Sequence, residues 1–173
     1  ACETLVKWST MPAMANISVS VNVSVNQFRQ QDFVSQVKNI VESTGINPEL
    51  LELELTESLF AENTQDIHNK MSELQQLGIE FSLDDFGTGY SSLSYLKRLP
   101  LSQLKIDQSF VREILTNNHD ATICRSIINL AKSLDLEVIA EGVELLEQKE
   151  FLFNEGCTLY QGYYFSKPLP EKE

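Results

Sequence analysis

Oxygen-bearing side chains lie at or near the ends of several short apolar runs in this sequence. They are Asn22, Glu54, Asp84, Asp85 and Glu141, and neither the two histidines nor the three cysteines of the chain are among them. Carboxylate and amide oxygens without nitrogen or sulfur ligands favour Mg²⁺ or Mn²⁺ over zinc. Adjacent Asp84 and Asp85 would let one carboxylate bridge two ions, which suits in-line displacement at a phosphodiester. We therefore predict a site for Mg²⁺ or Mn²⁺, with two ions when the site is complete.

A lysine and a glycine-rich stretch accompany these ligands. Lys105 ends an apolar run together with Asp107, and among carboxylates it could stabilise an attacking hydroxide or the charge developing on a phosphate. A buried ion pair between Lys105 and Asp107 is an alternative, and both interpretations can hold together. The run DDFGTGYSSL, residues 84–93, is also compatible with a phosphate-binding loop that leads into a helix after Ser91–Ser92.

Short strand patterns alternate with helical patterns along the whole chain. The predicted strands are Ile17–Val25, Leu51–Thr56, Ile79–Leu83, Gln103–Ile106, Glu137–Ala140 and Thr158–Gln161. Each delivers a polar residue near its carboxyl end, and in parallel strands these ends meet at one edge of the sheet. The residues expected there are Asn22, Glu54, Asp84 with Asp85, Lys105 with Asp107, Glu141, and Gln161.

Amphipathic helices are predicted between these strands. Their apolar stripes cover 33–41, 67–77 and 123–134, the first residues have helical character, and further helices should follow Ser91–Ser92 and start near Glu144. Gly45, Gly78 and Gly156 lie where helices should end. This alternation predicts a parallel sheet covered by helices, either an open doubly wound sheet or a (β/α)8 barrel. The polar strand ends favour the barrel, because barrel active sites lie at that face.

The strand around Glu54 has two interpretations. Leu51, Leu53 and Leu55 alternate with polar residues, so a half-exposed antiparallel strand with solvated glutamates would fit. If the leucines instead pack under helices, Glu54 points into the barrel and needs a cation or a hydrogen-bond partner. The recurrence of polar strand ends favours the second interpretation.

Composition excludes several classes of function. The net charge of −12 argues against broad binding to nucleic-acid polymers, although a small anionic ligand fits if metal ions neutralise its site. Cys2, Cys124 and Cys157 lack zinc-ligand spacing and are expected to be free thiols in a reducing compartment. The sequons at Asn16 and Asn22 are discounted, and both histidines are expected at the surface, on or beside helices. No apolar run reaches the ~20 residues of a membrane span.

Six stretches carry a family resemblance that covers essentially the whole chain. They are NVS at Asn22–Ser24, ELTES at Glu54–Ser58, DDFGTGYSSL at Asp84–Leu93, LKIDQSFV at Leu104–Val111, VIAEGVE at Val138–Glu144 and QGYYFSKPLP at Gln161–Pro170. In this set and order they resemble the EAL family of cyclic-di-GMP phosphodiesterases. The resemblance implies a (β/α)8 TIM-like barrel with one antiparallel strand, and metal-dependent opening of cyclic-di-GMP to linear pGpG.

The resemblance also implies roles for individual residues. Asn22, Glu54 and Asp84 would be metal ligands, and Asp85 would contribute to the second ion. Lys105 and Glu141 would organise the attacking water, with Gln161 nearby and Glu141 also facing the metals. Glu57 would brace the loop after the two aspartates, with Gly87 and Gly89 as its hinges. Substrate contacts would come from Asp107, Glu144 and Gln161.

One motif of the family, E-A-L-x-R, is absent from the sequence. About six of the eight barrel strands are recognisable, so residues 1–173 are expected to form an incomplete barrel, the C-terminal two-thirds of an EAL domain. Its edge strands would be open, at Ile17–Val25 and Thr158–Gln161, and would favour homodimers or edge-mediated self-association. We expect little or no turnover from this chain alone.

Three functions remain open at this point. The first is a cytoplasmic signalling phosphodiesterase, whose parent protein could carry a GGDEF or sensor domain or be anchored at the inner membrane. The second is an inactive EAL-type module that binds cyclic-di-GMP or a protein partner. The third is an unrelated Mg²⁺-dependent barrel enzyme for another phosphorylated substrate, which the density of family motifs disfavours.

Overall fold

The computed structural model describes residues 1–61, 64–89 and 96–169 of the 173-residue chain. These residues fall into two compact units. The first unit contains 1–83 and 96–102, and the second contains 84–89 and 103–169. The helix predicted after Ser91–Ser92 lies outside the described residues.

The first unit opens with a helix, as its composition predicted. Its elements are α1 (Cys2–Ser9), β1 (Val19–Asn22), α2 (Val25–Phe28), α3 (Phe33–Thr44), β2 (Leu51–Thr56), α4 (Thr64–Gln75) and the start of β3 (Glu80–Phe86). Two 3₁₀ turns, Pro48–Leu50 and Glu57–Ala61, flank β2. The helical stripes of α3 and α4 are confirmed, although Leu77 lies beyond the end of α4.

Strands β1 and β2 pair in parallel, with Val19 opposite Leu51 and Asn22 opposite Glu54. The prediction of a strand over Ile17–Val25 was therefore too long at both ends. The strand ends because Ser24 begins α2 with a capping box, in which Gln27 N donates to Ser24 Oγ and Ser24 N donates to Gln27 Oε1. Two backbone N–H groups that have no partner within the helix are hydrogen-bonded in this way, and the backbone leaves the sheet.

Burial decides between the two interpretations of β2. Leu51, Leu53 and Leu55 are buried, and Glu54 is only 8% exposed. Because β2 is also parallel to β1, the half-exposed antiparallel alternative is wrong. A parallel strand covered on both faces is the arrangement that the alternation of β and α segments predicted.

The second unit repeats the strand–helix pattern. Its elements after the end of β3 are β4 (Gln103–Ile106), α5 (Gln108–Arg112), α6 (Asn118–Ser133), β5 (Glu137–Ala140), α7 (Leu146–Glu155) and β6 (Leu159–Tyr160). Strand β5 pairs in parallel with β4 and with β6. Strands β4, β5 and β6 lie side by side in chain order. The core of this unit is aliphatic, with Leu104, Ile106, Ile128 and Leu152 fully buried.

Several predicted boundaries need correction. The strand predicted over Ile79–Leu83 starts one residue later and continues to Phe86, because the two aspartates remain in the strand instead of ending it. Strand β6 is shorter than predicted, and the helix expected near Glu144 begins at Leu146. Helices α2 and α5 were not predicted, since each is too short to show a periodic stripe.

Other predictions of the sequence are confirmed. Strands β2, β4 and β5 have the predicted bounds, and Gly45, Gly78 and Gly156 adopt left-handed backbone at helix ends. His119 is exposed on a helix, as predicted, whereas His68 lies on a helix but is half-buried, so its predicted surface position is not confirmed. Among the residues that the structure describes, no helix is both long and apolar enough to cross a membrane.

The three free thiols differ in environment, and this predicts their reactivity. Burial raises the pKa of Cys124 to about 12 and that of Cys157 to about 11, whereas Cys2 is half-exposed on α1. Since the thiolate is the nucleophile, burial makes Cys124 and Cys157 unreactive at pH 8. We expect iodoacetamide to label Cys2 alone in the native chain at pH 8, and all three thiols in guanidinium. Mass spectrometry of the digested protein measures this, and rapid native labelling of Cys124 would contradict the packing.

Candidate metal-binding site

The centre of the site in the second unit is a buried lysine. Lys105 lies on β4 and is only 4% exposed. Its Nζ is 3.2 Å from Asp84 Oδ1 and 2.7 Å from Glu141 Oε1. A buried ammonium requires such partners, because its desolvation would otherwise be prohibitive. The predicted convergence of strand ends is therefore present for β3, β4 and β5.

Asp84 and Asp85 occupy successive positions near the end of β3 and so point in different directions. Asp84 is half-buried and faces Lys105, whereas Asp85 is exposed. Asp85 also has a φ of 54°, which is uncommon for a residue with a side chain. This backbone conformation places two neighbouring carboxylates where both contribute to one acidic cluster.

That cluster contains Asp84, Asp85 and Glu141. Each offers one carboxylate oxygen, and these atoms lie within 4.8 Å of one another. Although Asp84 Oδ1 is within ion-pair distance of Lys105, the buried atom has no partner with hydrogen-bond geometry among the described residues. The all-oxygen donor set fits a hard ion such as Mg²⁺ or Mn²⁺.

Asp107 interacts with Asp85 and is also part of a helix cap. Burial raises the pKa of Asp85, as do the Asp84 charge and a hydrogen bond shared with Asp107, while Lys105 lowers it. Burial also acts to raise the pKa of Asp107, but hydrogen bonds donated by the Ser109 hydroxyl and backbone N–H outweigh it, so the net shift is downward. Asp107 is therefore the N-cap of α5. Sequence analysis offered it as an ion-pair partner of Lys105 and did not predict the cap.

Glu141 is positioned by the backbone that follows β5. Its N–H donates to Ile106 O at 3.1 Å, which continues the pairing with β4 by one residue. The next residue, Gly142, has a φ of 68°, and a Cβ there would lie 2.6 Å from the Cβ of Gln108. Only glycine fits this close approach without displacement of α5. The turn that aims Glu141 at Lys105 thus depends on Gly142.

A polar cavity of about 630 Å³ adjoins Glu141 in the second unit. Its lining includes Glu144 and Gln161, both named by sequence analysis, and the cations Arg112 and Lys167, which it did not name. Gln161 is exposed, and its backbone N–H donates to Ala140 O at 2.8 Å. The structure therefore brings Glu141, Glu144 and Gln161 to the same cavity.

The remaining predicted ligands lie in the first unit. Asn22 and Glu54 are register partners at the carboxyl ends of β1 and β2, and Val23 N donates to Glu54 O at 2.9 Å. Glu57 begins the 3₁₀ turn directly after β2. The structure thus brings Asn22 and Glu54 together, as their strand positions predicted.

The two glycines predicted as loop hinges follow β3. Gly87 has a φ of 101°, and a Cβ there would lie 2.9 Å from Phe110 Cε2, so its place against α5 requires glycine. Gly89 is exposed at the end of the described segment. The packing of Gly87 is close, and its role as a hinge stays a prediction.

Sequence analysis missed one buried polar residue, Gln148, which is only 3% exposed. It is the third residue of α7, where glutamine commonly accepts a hydrogen bond from the backbone of the N-cap residue. A helix start placed at Leu146 would have identified Gln148 as this third residue. Because the helix was expected to start near Glu144, Gln148 did not fall at that position.

Comparisons with known proteins agree on one family. The family profile described as "EAL domain" matches residues 1–168. A relative from Pseudomonas aeruginosa named cyclic di-GMP phosphodiesterase NbdA is 43% identical over 154 residues, which are 89% of this chain and 20% of the relative. The chain thus spans about a fifth of the length of this curated relative.

Solved structures give the same result for the fold. The PaMucR phosphodiesterase in complex with c-di-GMP superposes with a TM-score of 0.93 at 39% identity, covering 99% of this chain and 69% of that one. A Klebsiella pneumoniae BlrP1 complex with manganese and cy-diGMP has a TM-score of 0.83 at 27% identity, covering 96% and 43%. The predicted fold, an incomplete TIM-like barrel of EAL type, is confirmed.

Removal of the central cation tests this geometry directly. Lys105→Met leaves Asp84 and Glu141 facing each other without the ammonium, and loss of one partner from a buried ion cluster costs about 3 kcal/mol of unfolding free energy. Urea denaturation without added metal measures the change. The control Lys132→Met removes an exposed lysine that donates to Glu155 O, and should cost less than about 1 kcal/mol. Equal losses in the two variants would contradict a special role for Lys105.

Proposed function

The chain belongs to the EAL domain family, and we propose that it acts on cyclic-di-GMP as part of a metal-dependent phosphodiesterase. The relative and the solved structures whose names include cyclic-di-GMP support this substrate. The observation that carries the proposal is the buried Lys105, ion-paired to Asp84 and Glu141 beside the Asp85 carboxylate. Few structural roles require three carboxylates around one lysine at the ends of parallel strands.

Divalent ions would be held by the carboxylates of Asp84, Asp85 and Glu141, together with Asn22 and Glu54 from the strands before them. Bound Mg²⁺ or Mn²⁺ would supply Lewis acidity toward the phosphate and toward the attacking water. The acidic cluster supports this donor set, as does the Asp84 oxygen that pairs with Lys105 but has no hydrogen-bond partner among the described residues. We propose two ions per complete site.

Lys105 and Glu141 would act on the water and on the phosphate. Glu141 lies 2.7 Å from the Lys105 ammonium, and its carboxylate would accept a proton from the water whose oxygen attacks phosphorus. The ammonium would then stabilise the charge that develops on the phosphate. The P–O bond to one ribose oxygen breaks, that oxygen takes up a proton from solvent, and linear pGpG is the product. Gln161 would orient the water from the adjoining cavity.

Substrate would be bound by the polar cavity beside Glu141. An acidic chain of net charge −12 needs local cations to receive a phosphodiester, and Arg112 and Lys167 supply them at the cavity wall. Asp107, Glu144 and Gln161 offer acceptors and donors to a nucleobase. We further propose that Glu57 braces the segment after β3, with Gly87 and Gly89 allowing it to move.

A receptor is the second candidate. The sequence lacks the E-A-L-x-R motif, which the family resemblance associates with one further metal ligand and a phosphate contact. We therefore propose that this chain alone binds Mn²⁺ and cyclic-di-GMP with little turnover. Binding without any hydrolysis in a chain that contains the motif would favour the receptor.

Substitution of one metal ligand tests the proposal. In Asp84→Asn the cluster loses a charge at its buried end, so Mn²⁺ affinity should fall by about tenfold or more, and Mn²⁺-dependent binding of cyclic-di-GMP should fall with it. Electron paramagnetic resonance measures free Mn²⁺, calorimetry measures the nucleotide, and chromatography follows pGpG. Asp135→Asn removes the same charge from an exposed turn and serves as the control.

The possible results separate the parts of the proposal. Unchanged Mn²⁺ affinity in Asp84→Asn would remove this residue from the site. Tight Mn²⁺ binding with no affinity for cyclic-di-GMP would reject the substrate but keep the metal. Rapid pGpG formation would reject both the receptor and the expectation of low turnover.

A further inference from the structure

The side chain of Gln148 connects two backbone segments inside the second unit. Its Oε1 accepts hydrogen bonds from the N–H groups of Glu144 and Leu145, at 2.8 and 2.9 Å. Its Nε2 donates to Val111 O at 3.1 Å and to Arg112 O at 3.3 Å. The amide thus joins the loop before α7 to the end of α5.

This arrangement uses the full hydrogen-bonding capacity of the amide. A glutamine side chain has two donor hydrogens and two acceptor lone pairs, and all four are engaged here. The partners also fix its orientation, because two N–H groups require the oxygen and two carbonyls require the nitrogen. Since Gln148 is 97% removed from solvent, water cannot replace these bonds without rearrangement.

The loop from Glu141 to Leu145 is held from two sides. Glu141 N and Val143 N donate to Ile106 O and Gln161 O, which fixes the first part of the loop to neighbouring backbone. The second part, Glu144 and Leu145, donates to Gln148. Loss of Gln148 would therefore release Glu144 while Glu141 stays in place.

Both segments that Gln148 joins contribute to the wall of the polar cavity. Arg112 comes from the end of α5 and Glu144 from the loop, and neither position is fixed by pairing within the sheet. Resting on the proposed function, we propose that Gln148 is a positioning residue that sets the spacing of Arg112 and Glu144 and thereby nucleotide affinity. It does so without changing the affinity of the acidic cluster for metal.

The four hydrogen bonds of Gln148 form a bridge between the loop and α5. Two substitutions separate the two bonds that its oxygen accepts from the two that its nitrogen donates. Gln148→Met keeps the length of the side chain and removes all four hydrogen bonds. Gln148→Glu keeps acceptors for Glu144 and Leu145, but it places a carboxylate against the carbonyls of Val111 and Arg112. Leu152→Ala is the control, because it removes buried packing from the same helix without contacting the bridge through hydrogen bonds.

Three measurements on the full chain test the proposal. In Gln148→Met we expect amide exchange of Glu144 and Leu145 to accelerate by about tenfold or more, with exchange of Glu141 and Val143 changed much less. The Kd for cyclic-di-GMP with saturating Mn²⁺ should rise by about tenfold, while the Kd for Mn²⁺ alone stays within about twofold. Gln148→Glu should retain slow exchange at Glu144 and still lose nucleotide affinity. Leu152→Ala should lower thermal stability and leave both Kd values unchanged.

Several results would overturn the inference. Unchanged exchange at Glu144 in Gln148→Met would mean that the bridge does not hold the loop. Faster exchange with unchanged nucleotide affinity, or an equal loss of affinity in Leu152→Ala, would reduce Gln148 to a structural residue. If the unsubstituted chain binds no cyclic-di-GMP, the proposed function fails, and exchange at Glu144 alone then decides whether Gln148 positions the loop.

Discussion

The ion pairs of the buried Lys105 constrain the rest of the second unit. An ammonium with 4% exposure is stable only if carboxylates replace its water, so Asp84 and Glu141 must approach it from the strands on either side in sequence, β3 and β5. That requirement explains why β3 continues through two aspartates and why a glycine follows Glu141. The apolar residues around this cluster provide the low dielectric in which the charges interact strongly. The ion pairs of Lys105 and the packing of the strands therefore require the same positions for Asp84 and Glu141.

Much of this arrangement could be predicted from residue types alone. Short strand patterns between helical patterns located β2, β4 and β5, and polar residues near their ends identified Glu54, Lys105 and Glu141. The predictions that failed concern features that depend on contacts with residues distant in sequence. The end of β3 was misplaced because aspartates are uncommon in strands, and the ion pair of Asp84 with Lys105 depends on a residue distant in sequence. The cap formed by Asp107 was missed because α5 is a single turn and a half.

The bridge made by Gln148 shows a related limit. Two of its partners, the carbonyls of Val111 and Arg112, lie 37 and 36 residues away in α5, so its sequence neighbourhood does not reveal them. A local rule for helix starts could have suggested half of its hydrogen bonds. The other half follows only from the packing of α7 against the end of α5. Polar residues that connect loops are thus harder to infer than polar residues that end strands.

The backbone of Asp85 has a consequence for how this protein would respond to selection. A φ of 54° inside a strand costs a residue with a side chain about 1 kcal/mol or more, and costs glycine almost nothing. A laboratory search for heat tolerance alone would therefore drift toward glycine at this position. Under the proposed role of Asp85 as a metal ligand, a search for catalytic output would keep the aspartate. The two objectives would then compete at this one residue.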